Sequence, residues 1–431
     1  MTSTDARRRL FVPAPLFPAV YGPSAMLALG LGLFGGFAVG LYALGGLAFG
    51  WPAARYAALV QAHGQVQTLG LAGLMILGVG ALLLPGFWRA KITRPQVISY
   101  GGGLVGVGLL AQLVGQPLDP GPARQALLTL AAVLPVGGFV WAASELLKLR
   151  LGQQRWPATW ETLLVLAGCS LIGALLVRAL YLLDLLWTGA PASYGALHQA
   201  LIALELHGFV LAATFAIQLR LLPSLARTRP VSGWIEYVGI VGLALAVLAQ
   251  LAAPGSGILE LTPIGVWLEA VAAVVLFGTT GLWRRGLAPT VQAPATLLPG
   301  RTRQVLRVAW AGLLVSVIGR ATGLLSADAA THALTSVYLV PLILVVGIRM
   351  LPRVSAYPIR FPRLCGALVW CGLVGGVLRA FGGTIWNPIG WQLAWLGGLL
   401  VMLAVLIFAA LAWSPWGVPT GVPREPEILR R

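Results

Sequence analysis

Twelve stretches of this chain are each long and apolar enough to cross a bilayer, and no other feature narrows the possible folds as much. The expected spans are 24–48, 57–84, 96–116, 126–147, 160–187, 195–222, 234–253, 262–283, 305–325, 331–351, 364–385 and 389–413. A crossing helix needs about 20 mainly apolar residues. Composition agrees: 58% of the 431 residues are hydrophobic and only 10% charged, where a soluble chain carries about a quarter charged residues. Gly and Pro are abundant, at 55 and 29 residues, as membrane helices and their short loops tolerate. The sequence therefore reads as an all-α polytopic membrane protein. Residues 1–23 form an N-terminal tail, 24–413 a single twelve-helix domain, and 414–431 a C-terminal tail.

The net charge of +17 has meaning only through its placement. Arg7, Arg8 and Arg9 occupy the N-terminal tail and Arg424, Arg430 and Arg431 the C-terminal one. Alternate loops carry further clusters: Arg89, Lys91 and Arg94; Lys148, Arg150 and Arg155; Arg220, Arg227 and Arg229; Arg284 to Arg307; and Arg349 to Arg363. Loops of the opposite side hold only Arg55 and Arg124. Positive charge collects on the cytoplasmic side, so both termini are expected there, in a bacterial-type inner membrane. The charge is thus a topology signal, and nucleic acid is not an expected partner. Cys169, Cys365 and Cys371 form no C-x-x-C or C-x-x-C-H pattern, which argues against a zinc ribbon or covalent c-type haem attachment. The first apolar run is too long for a cleaved signal sequence.

Histidine is scarce and ordered. Only four are present: His63 in the second span, His198 and His207 in the sixth, and His332 in the tenth. The second, sixth and tenth spans also close alike, on LLLPGFWR, LRLLPSLAR and IRMLPRVS. A pattern used three times, four helices apart, predicts three sets of four helices in pseudo-threefold arrangement. Three of the histidines fall in the outer half of the membrane, with His207 nearer the middle. His198 and His207, nine residues apart, lie roughly 13 Å apart along a helix and on opposite faces, so they cannot share one metal. His198 reads as an interhelical hydrogen-bond partner. His207 reads either as a metal ligand or proton relay, or as a hydrogen-bonded pair with Glu205.

This arrangement resembles subunit I of the haem-copper oxidases. The H-G-x-x-Q segment at 63–67 and the HALT…R…P segment at 332–352 resemble the NnrS family, membrane proteins of nitric oxide metabolism that bind haem and copper. The resemblance implies that His63 and His332 clamp a haem b, with copper as a second metal and respiratory membrane subunits as partners. It does not extend to the binuclear centre. The seventh span has no histidine and the tenth only His332, and Gln61 stands where related segments carry the first histidine of H-x-H. Two imidazoles at similar depth on separate helices suit a b-type haem.

Arg178, Arg320 and Arg379 lie inside the expected spans, where a charge marks function or a buried partner. Haem propionates want cations, and the planar arginine fork suits carboxylates, so all three are candidate propionate or anion partners. The competing reading has them reach the outer interface or pair with Asp184 and Asp328. Glu205 and Glu269 are the intramembrane acids and candidate proton-handling groups. Two other functions stay open: an electron-carrying or scaffolding oxidase-like subunit without catalysis, and a secondary transporter of a small solute, though threefold repetition disfavours the latter.

Overall fold

The computed structural model describes residues 22–50, 55–153, 157–226, 228, 233–256, 261–284, 299–355 and 362–413. Most of both tails, including Arg7, Arg8, Arg9, Arg424, Arg430 and Arg431, lies outside the described residues. So do Trp51, Arg155, Arg227, Arg229, Arg285 and Arg360. Twelve described helices are long and apolar enough to span a membrane. They are α1 (Leu27–Phe49), α2 (Tyr56–Trp88), α3 (Pro95–Gly115), α4 (Pro122–Leu151), α5 (Thr159–Thr188) and α6 (Ala196–Pro223). The second six are α7 (Trp234–Ala253), α8 (Leu261–Thr279), α9 (Thr302–Ala321), α10 (Ala327–Ile348), α11 (Leu364–Gly382) and α12 (Pro388–Leu411).

Two boundaries differ from expectation in a way that matters for the polar groups. Helix α9 stops at Ala321, because Gly323 adopts a left-handed φ of 74° that only glycine takes without strain. The Leu325 N–H then turns back to the Gly319 carbonyl at 3.0 Å. Helix α10 starts at Ala327, four residues before the expected 331, since the Ser326 hydroxyl caps it by accepting from the Ala329 N–H at 3.2 Å. Arg320 therefore sits in the last turn of its helix, where the macrodipole favours a cation. Asp328 enters the first turn of α10, one turn from His332.

Neighbour packing runs α11–α12–α1–α2, then α3–α4–α5–α6, then α7–α8–α9–α10. The three arcs join where α10 meets α11, α6 meets α7, and α3 meets α1 and α2. Each arc ends on an inner helix. Along their most apolar stretches α2, α6 and α10 are 78%, 83% and 78% buried, against 39–50% for the other nine. The three histidine-bearing spans are thus the centre of the bundle. Its outer surface is apolar, with Phe34, Ile172, Val241 and Leu406 all exposed, as a lipid-facing surface should be. Trp187 and Trp386 stand 92% and 74% exposed near the histidine end, where interfacial tryptophans belong.

At the opposite, basic end, acids are used for helix packing. Glu161 accepts from the Trp88 indole at 2.6 Å and from the Ala158 N–H at 2.8 Å. Glu145 is held by Thr93 and Lys148, and Glu236 by Thr159. These contacts tie the arcs together away from the histidines.

Candidate functional site

All three inner helices leave the α-helical pattern at matched places. Residues Val66–Gly73 of α2, Ala203–Val210 of α6 and Ala333–Leu339 of α10 are π-helical. These stretches begin 19, 20 and 19 residues before Pro85, Pro223 and Pro352. Helix α1 has a similar stretch at Leu31–Ala38. Extended π-helix is rare and gathers at functional sites. His63 precedes its stretch by three residues, His332 immediately precedes its own, and His207 lies within one. The depth of the polar groups is therefore set by a repeated backbone feature that apolar patterning does not reveal.

Around these stretches the polar side chains sort into three clusters. The first joins α1, α2, α10 and α11. His63 Nδ1 lies 2.7 Å from the Gly36 carbonyl oxygen. That oxygen can only accept, so Nδ1 carries the proton and Nε2 keeps its lone pair. The ring lies over Gly40 of α1: a Cβ there would come within 2.6 Å of Cε1. His332 Nε2 lies 2.6 Å from an Arg379 Nη2, and a guanidinium can only donate. His332 Nε2 thus faces this donor together with an acceptor, a carboxylate oxygen of Asp328. Asp328 completes the group at 3.3 Å from His332 and 3.5 Å from Arg379. His63 lies within electrostatic range of His332, Arg379 and Asp328. Two imidazoles thus share one cluster with a guanidinium and a carboxylate, and His63 presents an unprotonated Nε2.

The second cluster joins α2 with the arc α3–α6. Arg178 is fully buried, and its guanidinium is held by Gln65 (3.2 Å), Gln112 and the Ala131 carbonyl. Asp184 takes no part. Glu205, also buried, accepts from Gln65 at 2.9 Å and Thr68 at 3.0 Å, while its Oε1 has no hydrogen-bond partner. From Gln112 the bonds continue through Gln116 to Gln61, Tyr181 and the loop carbonyls of Pro191 and Ser193. A charged guanidinium is here solvated by amides, and its nearest carboxylate, Glu205, stands one amide away.

The third cluster joins α6 with the arc α7–α10. His207 Nδ1 is 2.6 Å from Glu269 Oε1, and its Nε2 is 3.0 Å from Arg320. Arg320 also reaches Gln250 at 3.0 Å, and Gln250 donates to Glu269 at 3.2 Å. Histidine, glutamate, glutamine and arginine close a ring of mutual hydrogen bonds. His207 pairs with Glu269, not with Glu205 two residues away. The reason is helical phase: neighbours two apart point about 200° from each other. The same alternation sends Gln61 and Gln65 into one cluster and His63 into another. Helices α2 and α6 thus each serve two clusters.

Of the three intramembrane arginines, the structure brings only Arg379 to His63 and His332. Arg178 and Arg320 belong to the other two clusters, with every guanidinium nitrogen of Arg178 already bonded. His198 packs at the edge of the second cluster, against the rings of Tyr181 and Tyr194 at 6.1 and 5.5 Å. The residues that sequence reasoning overlooked are mostly glutamines. A signal was present: Gln112 and Gln250 both sit in L-A-Q-L, at 110–113 and 248–251, on the first helix of their arcs, and each solvates the arginine two helices on.

Of the three clusters the first fits a haem best. Helix α1 offers glycines, not side chains, against His63, whose Nε2 stays open. At His332 Arg379 holds Nε2 and would have to turn from it to a propionate for that imidazole to take iron, whereas at His207 both ring nitrogens are engaged, by Glu269 and Arg320. Among the described residues no group of three or more His, Cys, Asp or Glu side chains is placed to hold a metal ion.

No family model matches the sequence, and no curated protein matches it. Solved structures do match. One is the cryo-electron microscopy structure of a haem-copper terminal oxidase dimer, with a TM-score of 0.64 at 13% identity, over 97% of this chain and 85% of that one. The fold is that of haem-copper oxidase subunit I.

Proposed function

We propose that this protein with the haem-copper oxidase fold is a membrane haem-binding protein of the NnrS type, acting in nitric oxide metabolism or respiratory stress. His63 and His332 would hold the haem through imidazole nitrogens, and Arg379, with Asp328 beside it, would supply the cation for a propionate. The bound haem would supply one-electron redox chemistry. The observation that carries this reading is the first cluster: two imidazoles from separate inner helices next to one guanidinium. Both termini would be cytoplasmic, placing this cluster toward the outer face. The third cluster, where His207 meets Arg320, has no set of ligands for copper, so the reading contains no binuclear centre. An electron-carrying or scaffolding role beside respiratory subunits fits the same site. Solute transport lacks comparable support, because the threefold arcs do not form the paired halves of such carriers.

Purified protein expressed with haem in supply should show a Soret band and about one haem b per chain by pyridine haemochromogen assay. A folded, monodisperse chain with no Soret absorption would sink the reading. A subtler check targets α1. Gly40→Val would push against the His63 ring and break its bond to the Gly36 carbonyl. Disturbing such a ligand-orienting contact costs about 10–100-fold in affinity, so haem transfer to an excess of an apo-haem acceptor protein should strengthen by that factor.

A further inference from the structure

From the ends of their π-helical stretches onward, α2, α6 and α10 part around a partly open cavity of about 60 Å³. Its walls come from these three helices alone, with Ala72, Met75 and Val79 on one side and Leu342 and Val346 on another. The polar side chains among its lining residues are Thr214 and Gln218, and both are committed elsewhere. The Thr214 hydroxyl donates to the Val210 carbonyl at 2.8 Å. The Gln218 amide donates to the Tyr338 hydroxyl, and its oxygen accepts from the Trp310 indole at 2.7 Å. Buried water needs two to four polar partners, and two side chains already engaged with their neighbours in otherwise apolar walls are a poor set.

We infer that this axial cavity is a binding site for a small uncharged gas with little hydrogen-bonding capacity, of the class of nitric oxide and dioxygen. Size sets the class. The volume exceeds the roughly 10–15 Å³ that one water occupies, and falls well below the ~150 Å³ of a cavity that holds benzene. Two or three heavy atoms fit. A lipid chain is the wrong occupant on position: the lining helices are the three most buried in the bundle, with nine others around them. The cavity begins nine residues beyond His63 and seven beyond His332, roughly 10–13 Å along the helix axes. It lies on the axis shared by all three arcs, and the inference stands whether or not haem binds at the histidines.

Crystals of the whole protein, pressurised with xenon, test this directly. A xenon peak is expected between Ala72, Thr214 and Leu342. Ala72→Phe from α2 and Val346→Phe from α10 should each abolish it, while Thr214→Val, which keeps the volume, should preserve it. Should both phenylalanine variants fail to fold, the peak in the unaltered protein still decides. No peak, a string of ordered waters, or density for an acyl chain in the cavity would overturn the inference.

Discussion

His63→Ala and His332→Ala are each expected to change the absorption spectrum of haem-loaded protein from six-coordinate low-spin to high-spin, or to remove it, while His198→Ala leaves it intact. The three substitutions delete the same imidazole from comparable depths in the inner helices. Only the first two lie in the cluster that contains Arg379, whereas His198 packs between tyrosine rings. Added imidazole separates ligation from mere packing: it should restore the low-spin spectrum in either variant by supplying the missing nitrogen. If His198→Ala behaves like the other two, or if imidazole restores nothing in folded variants, the assignment of ligands is wrong.

The second large effect is expected away from any haem. Arg178→Leu removes a fully buried cation and strands the acceptors of Gln65, Gln112 and Ala131. It also leaves Glu205 without a nearby positive charge. A buried polar group left without its partner costs about 1–3 kcal/mol, and three are stranded here, so thermal unfolding in detergent should begin many degrees lower. Arg178→Lys should recover little, since one ammonium cannot reach three acceptors on three helices as the guanidinium fork does. Arg178→Leu combined with Glu205→Gln should be more stable than Arg178→Leu alone, because the second change removes the stranded charge. Equal stability of the single and double variants would mean that Arg178 and Glu205 are not coupled, and that amides alone carry the arginine.

The same cluster shows how buried charge can serve structure in a membrane. Arg178 and Arg320 each occupy the third helix of an arc, each meets a glutamine from the first helix of that arc, and each meets the preceding inner helix, through Gln65 or His207. Arg379 departs from this rule: it lies on the first helix of its arc and meets histidine and aspartate. That asymmetry singles out the His63–His332 cluster, since the two regular clusters are nearly closed by their own hydrogen bonds.

Much of this architecture was legible in the residues. The twelve spans follow from hydropathy summed over some twenty residues, a quantity that depends little on neighbours. The repeated Leu-Pro endings and the scarce histidines were enough to suggest three arcs. Which groups meet was not legible. A partner depends on the azimuth of each side chain, which turns about 100° per residue and drifts where hydrogen bonds run i→i+5, as they do beside every one of these histidines except His198. A shift of two residues sends Glu205 to Arg178's cluster and His207 to Arg320's, and the early start of α10 brings Asp328 against His332. Sequence alone determined how many rods cross the bilayer and which carry nitrogen donors. The packed bundle decided which donors face one another, because facing is a property of two helices at once.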